Sequence, residues 1–258
     1  MRLMKRILSA AAVLALSASL LVGCSSGTAS SVPVSASSAA ESTVSSVEET
    51  ASSAVDENEA AAAQLLNDLT GSYQELWPVI LADEYKQTWL DDCTALVGED
   101  NAEAAFEKLS SMVTSDVYGE DAVKAYANGG GAYFCGFTNS LAILTFDGET
   151  STISGTDKDG NMLFSHTYHY IGMEPVRGLY EFQSDDADSG EFTYFFLAPD
   201  TSAETYHIEF RYGSDAEALS QYDTGEYAYW LASGISTDCD QTMIDNCIEL
   251  FCTENLAG

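Results

Sequence analysis

The run Asn161-Met162-Leu163-Phe164-Ser165-His166-Thr167-Tyr168-His169-Tyr170-Ile171 is the stretch whose reading decides the fold. Phe164, His166, Tyr168 and Tyr170 fall on one face of an extended chain, and Thr167, His169 and Ile171 fall on the other, the period of two that marks a strand. Tyr/Phe/Thr-rich stretches of the same kind cover 132–138, 140–147, 149–155, 177–184, 191–198 and 204–212, separated by turn signals. Asp147-Gly148 and Asp159-Gly160 read as hairpin turns. Six or seven antiparallel strands meandering within about eighty residues predict a closed or nearly closed barrel. In 204–212 the residues Tyr206, Ile208, Phe210 and Tyr212 form an apolar face that should point toward the core.

On both sides of the strands the periodicity becomes helical. Residues 63–127 carry it in three segments: one opening near Leu65, one from Gly71 through Trp77 to a break at Pro78, and one over Asn101 to Val113. A last helix over Asp240 to Phe251 aligns Met243, Ile244, Cys247, Ile248 and Phe251 in a stripe that should pack on the barrel. The fold class expected is α+β, mainly antiparallel β: a barrel with helices N-terminal to it and a C-terminal helix.

The first 62 residues belong to a different regime. Arg2, Lys5 and Arg6 precede an apolar stretch from Ile7 to Val22, so residues 1–23 read as a cleaved export signal. Its exit, Leu21-Val22-Gly23-Cys24, resembles a bacterial lipobox, which makes Cys24 the lipidated first residue of the mature chain at the outer face of a cell membrane. Residues 24–62 are Ser, Ala and Thr with scattered acids and no aromatic residue, too poor in apolar surface to offset the entropy of ordering. They read as a disordered tether, and residues 63–258 as one domain.

Charge and cysteine content narrow the function classes. Nine Lys and Arg stand against 41 Asp and Glu, a formal net charge of −32, and only six of the acids precede residue 63. A domain this acidic is excluded from binding nucleic acid through phosphate contacts or anionic lipid through a basic patch. Besides Cys24 the chain has Cys93, Cys135, Cys239, Cys247 and Cys252, an odd number without a CxxC motif. On one helix Cys247 and Cys252 stand about 140° apart and ~7.5 Å along the axis, too far to bond each other.

His207 and Glu209, two residues apart on one strand face, can reach a common point, the spacing a pair of metal ligands needs. The alternative is an exposed face carrying a Glu209–Arg211 ion pair of little worth. His166 and His169 point to opposite faces and cannot chelate one ion from a regular strand. No G-x-S-x-G, H-E-x-x-H, S-x-x-K or P-loop motif occurs, so the chain is not expected to be an enzyme.

Several segments in order resemble the ZinT (YodA) family. Leu69-Thr70-Gly71-Ser72-Tyr73-Gln74-Glu75-Leu76-Trp77-Pro78-Val79-Ile80 resembles the family's opening run, and Ala198-Pro199, His207-Ile208-Glu209 and Gly213-Ser214-Asp215 are similar to its Ala-Pro pair, its H-x-H strand and its Gly-Asn-Asp turn. The likeness covers most of residues 65–255. It implies a calycin-like, or lipocalin-like, barrel that binds zinc or cadmium outside the cytoplasm and assists metal uptake or buffering, with a metal ABC transporter or its solute-binding component as partner. The family's three histidines fall on Phe195, His207 and Glu209, so one histidine becomes a carboxylate and one becomes a ring that binds no metal. Asp200 and Glu204, in a connection three residues longer than the family's, are the candidates to complete the site. The alternative is a metal-free barrel holding a small apolar or aromatic ligand in its mouth.

Overall fold

The strand periodicity is realised as a closed barrel in the computed structural model, which describes residues 57–198 and 207–257. Its eight strands are β1 (Gly71–Glu75), β2 (Ile143–Asp147), β3 (Thr152–Thr156), β4 (Met162–Met173), β5 (Tyr180–Ser184), β6 (Tyr194–Leu197), β7 (His207–Gly213) and β8 (Ala232–Ser236). Each pairs antiparallel with its neighbour in sequence, and β8 returns to β1 through Tyr73↔Ser236, Gln74↔Ile235 and Glu75↔Gly234. Helices lie ahead of β1 and in the long β1–β2 connection, and one helix follows β8.

The hairpins form where the Asp-Gly pairs stand. Asp147 Oδ1 accepts from the backbone N–H groups of Glu149 (3.1 Å) and Thr150 (3.3 Å), closing the β2–β3 turn. Asp157 Oδ1 does the same for Asp159 (2.9 Å) and Asn161 (2.8 Å), and Gly160 takes the left-handed φ of +81° that the β3–β4 turn requires.

Three strands and one helix boundary differ from the sequence reading. Gly71–Glu75 is a strand rather than the start of a helix, because closure of the barrel needs it between β2 and β8 and its Tyr73 packs inward. The helical chain resumes as α2 (Leu76–Ile80), with Pro78 in the first turn, where its missing N–H costs nothing. Residues 132–138 are not a barrel strand. Phe134 makes an isolated bridge to Trp230, and Phe137 then turns into the barrel end, its N–H donating to Glu75 Oε1 at 2.6 Å. The place of that strand is taken by β8. At the N-terminal boundary, α1 is helical over 57–68, and Ala62 is fully buried, so the folded chain begins before residue 63. The remaining helices are α3 (Lys86–Val97), α4 (Glu99–Ser111), α5 (Glu120–Ala127), α6 (Ala216–Leu219) and α7 (Gln241–Leu256).

Two apolar clusters share the barrel wall. Inside it, Phe164, Tyr168, Phe182, Phe195, Ile208, Phe210 and Tyr212 pack together with Leu65 and Leu66 of α1 and with Leu69 just after it. Outside it, Leu76, Ile80, Trp89, Ile244, Cys247 and Ile248 pack α2, α3 and α7 onto Ile235 of β8. Asp240 caps α7 by accepting from Met243 N–H at 3.0 Å. Of the expected apolar stripe, Ile244, Cys247 and Ile248 are buried in this cluster and Phe251 packs against it, whereas Met243 is half-buried and outside it.

Candidate metal centre

β7 sorts its side chains as the alternation requires. Ile208, Phe210 and Tyr212 are within 1% of full burial inside the barrel; Tyr206 lies outside the described residues. His207, Glu209 and Arg211 share the outer face, and that face is covered rather than exposed. His207 is buried, Glu209 is half-buried, and Arg211 is fully buried.

The cover explains why an exposed Glu209–Arg211 pair is the wrong picture. Asp215 caps α6 with its carboxylate, and the chain after it folds back over β7. Arg211 donates to the carbonyls of Leu219 and Tyr227, and to that of Gln221 at 3.3 Å, while its guanidinium lies 4.3 Å from the Tyr222 ring centre. Arg177 stacks on the same ring, also at 4.3 Å. Burial pulls the Arg211 guanidinium down to about 10. Buried Glu174 accepts from the N–H groups of Val176 and Arg177 and from Tyr222 Oη (3.3 Å), which ties the β4–β5 turn to the same cluster.

Beside Glu209 the cover is formed by Cys135, whose carbonyl accepts from Ser233 N–H at 3.0 Å, and by α7. Burial first and the Glu209 charge second push the Cys135 thiol up to about 12. The Cys247 thiol reaches about 12 through burial, then Cys239 and Glu209. Sequence reasoning did not bring these thiols to the site, since nothing in their spacing pairs them with β7.

His207 and Glu209 thus supply two donors on one face. Among the described residues no three His, Cys, Asp or Glu side chains converge on a point where a metal could sit. Asp200 and Glu204 lie outside the described residues, as does Cys24. By sequence the two acids belong to the connection between Ala198, whose N–H donates to Glu209 carbonyl oxygen at 2.9 Å, and His207.

The position matched to the third family histidine stands elsewhere. Phe195 pairs with Tyr212, so it faces the barrel interior with Ile208 and Phe210, on the opposite side of the sheet from His207 and Glu209. Its ring is 5.3 Å from that of Tyr212 and 5.4 Å from that of Tyr168. Phe164 stacks on Phe192 at 3.9 Å beside it. Aromatic rings pack against one another through this part of the interior. A groove of about 490 Å³ opens outside the interior, at the end of β1, and is lined by Gln74, Glu75, Pro78, Leu141 and Asp157 among others.

The other two histidines diverge as expected. His166 Nδ1 meets Asp186 Oδ2 at 2.6 Å, and His169 Nδ1 meets Asp185 Oδ1 at 2.6 Å. Consecutive acids after β5 hold two rings on opposite faces of β4, an arrangement the adjacent Asp185-Asp186 pair signals only once the β4–β5 register is known.

No family model matches the chain, and no curated protein matches it. Among solved structures it is similar to the Zn(II)-bound ZinT-like domain of Streptococcus pneumoniae AdcA, at 15% sequence identity and a TM-score of 0.45, over 71% of this chain and 89% of that one. It is also similar to Zn(II)-bound AdcA of Streptococcus pneumoniae, at 14% identity and a TM-score of 0.40, over 75% of this chain and 35% of that one.

Proposed function

We propose that this chain is an exported divalent-metal binder rather than an enzyme, with zinc as its cargo and Cys24 as its lipid anchor. The observation that carries the reading is the placement of His207 and Glu209. β7 sets both on one face at the end of the strand where the connection bearing Asp200 and Glu204 arrives. One imidazole with carboxylates is a harder donor set than three imidazoles, so zinc binds more weakly than at a three-histidine site and competes with other oxygen-seeking divalent ions. The acidic domain concentrates cations around the site without specifying one. Anchored at the outer membrane face, such a protein buffers metal or passes it to a metal ABC transporter or that transporter's solute-binding component.

The test is calorimetric titration of the full chain with zinc, alongside His207→Ala and Glu209→Gln. The expected result is one saturable site in the wild type that either substitution removes and that weakens on acidification, since the imidazole must be neutral to ligate. Identical isotherms for all three proteins would overturn the assignment and leave only diffuse attraction to the acidic surface.

A further inference from the structure

Cys93 on α3 and Cys252 on α7 place their sulfurs 3.8 Å apart, and both residues are fully buried. Their helices pack side by side in the outer apolar cluster, where Trp89 lies one turn before Cys93 and Ile248 one turn before Cys252. Cys247, on the same helix as Cys252, cannot compete for it. We propose that Cys93 and Cys252 form a structural disulfide that fastens the last helix of the chain to α3.

The chemistry is a two-electron exchange. One thiolate attacks a disulfide-bearing oxidant, such as oxidised glutathione or a dithiol–disulfide exchange protein, and expels one thiol from it. The second cysteine then attacks the mixed disulfide and expels the other. The protein loses two electrons and two protons, and the oxidant leaves as two thiols. Bond formation needs the sulfurs to close to about 2.05 Å, a shift of ~1.7 Å that side-chain rotation and a small adjustment of the helices can supply.

Burial decides when this happens. It raises both thiols, and Cys93 raises Cys252 further. In the folded domain, thiolate is therefore scarce at this pair, so exchange runs while α7 is still unseated and the packing of α7 then seals the bond. The bond closes a loop of about 160 residues, among the longest the domain allows, so its restriction of the unfolded chain is near the maximum. It is independent of the metal reading and holds with or without an ion at His207.

The test is refolding of the full chain in a mixture of oxidised and reduced glutathione. Refolded protein is quenched with acid, unfolded, alkylated and cleaved at Asp and Glu, which separates Cys93–Glu99, Asn246–Glu249 and Leu250–Glu254. The expected product is Cys93–Glu99 linked to Leu250–Glu254, about 2 Da below the sum of the two thiol peptides. The oxidised protein should melt roughly 10 °C above the reduced protein, a difference that Cys93→Ala abolishes. Recovery of both peptides as alkylated thiols, or of Cys252 joined to another cysteine, would overturn the proposal. The peptide map is read on the wild type, so it decides the matter even if the variant fails to fold.

Discussion

Phe195→His restores the residue type that the ZinT resemblance places at this position, and the barrel register says it should restore nothing. The side chain is fully buried, with ring centres at 5.3 Å (Tyr212), 5.4 Å (Tyr168), 5.8 Å (Phe164) and 6.4 Å (Phe210). Removing a phenyl from this cluster forfeits packing, and an imidazole brings two ring nitrogens among rings that offer them few partners. Together these cost about 3–5 kcal/mol, a large part of a typical domain's stability. For a domain of this size that is a fall in melting temperature of roughly 10–15 °C. The imidazole points into the barrel while His207 and Glu209 point out of it, so the zinc dissociation constant should change less than about twofold. Denaturant unfolding followed by near-UV circular dichroism measures the first quantity, and calorimetry below the variant's transition measures the second. A tenfold tightening of zinc would place residue 195 on the same face as residues 207 and 209 and refute the Phe195↔Tyr212 register. An unchanged stability would refute the packed interior.

Three further outcomes follow from single side chains. Cys24→Ser should move the protein from the membrane to the soluble exported fraction; unchanged partitioning would remove the lipid anchor. Asp92 on α3 has a carboxyl pKa raised chiefly by burial, then by Glu249, Asp245 and Asp91, and its Oδ2 has no hydrogen-bond partner among the described residues. Its folded pKa exceeds the unfolded one, so the folded state holds the proton longer and stability falls as pH rises through that window. Asp92→Asn should therefore stabilise by about 0.5–1 kcal/mol at pH 7, allowing for solvent screening, and by almost nothing at about pH 3; equal gains in urea titrations at both pH values would contradict this. Tyr212 Oη accepts from Thr138 N–H at 2.6 Å and donates to the Thr138 carbonyl at 2.9 Å. Tyr212→Phe should cost about 1–3 kcal/mol and speed hydrogen exchange at the Thr138 amide, and an unchanged exchange rate there would show that this hydroxyl does not hold the segment.

The strands from β2 to β7 are legible because each keeps one face in the barrel and the Asp-Gly turns mark their ends. β1 and β8 are not, for different physical reasons. Gly71–Glu75 runs straight into Leu76-Trp77-Pro78, and the apolar spacing of the combined stretch fits a helix as well as a strand. Ala232–Ser236 is buried on both faces, under the barrel core and under α7, so no alternation shows. Gly234 is small because Ile208 Cγ1 and Phe137 Cζ would stand 3.1 and 3.3 Å from a Cβ there, a constraint set by residues 26 and 97 positions away. Residues 132–138 carry aromatic side chains in a strand-like pattern, yet only Phe134 bridges: Phe134 and Cys135 run alongside residues 229–233, whose strand β8 already has β1 and β7 as its ladder partners.

The site divides along the same line between local and non-local information. Period two places His207 and Glu209 together without reference to any other strand. Their cover depends on chain brought back from Asp215 onward and from Cys135, and no local pattern reports it. The relation of Phe195 to them is decided by neither local pattern nor linear order. Residues 198 and 207 are joined by a connection whose length leaves open which face of β6 meets which face of β7, and a register changed by one residue exchanges the two sets. The pairing Phe195↔Tyr212 fixes that choice. Positions that line up along the chain with three ligands are thereby split two and one across a sheet. A side chain at position 195 is therefore kept from any ion held between His207 and Glu209.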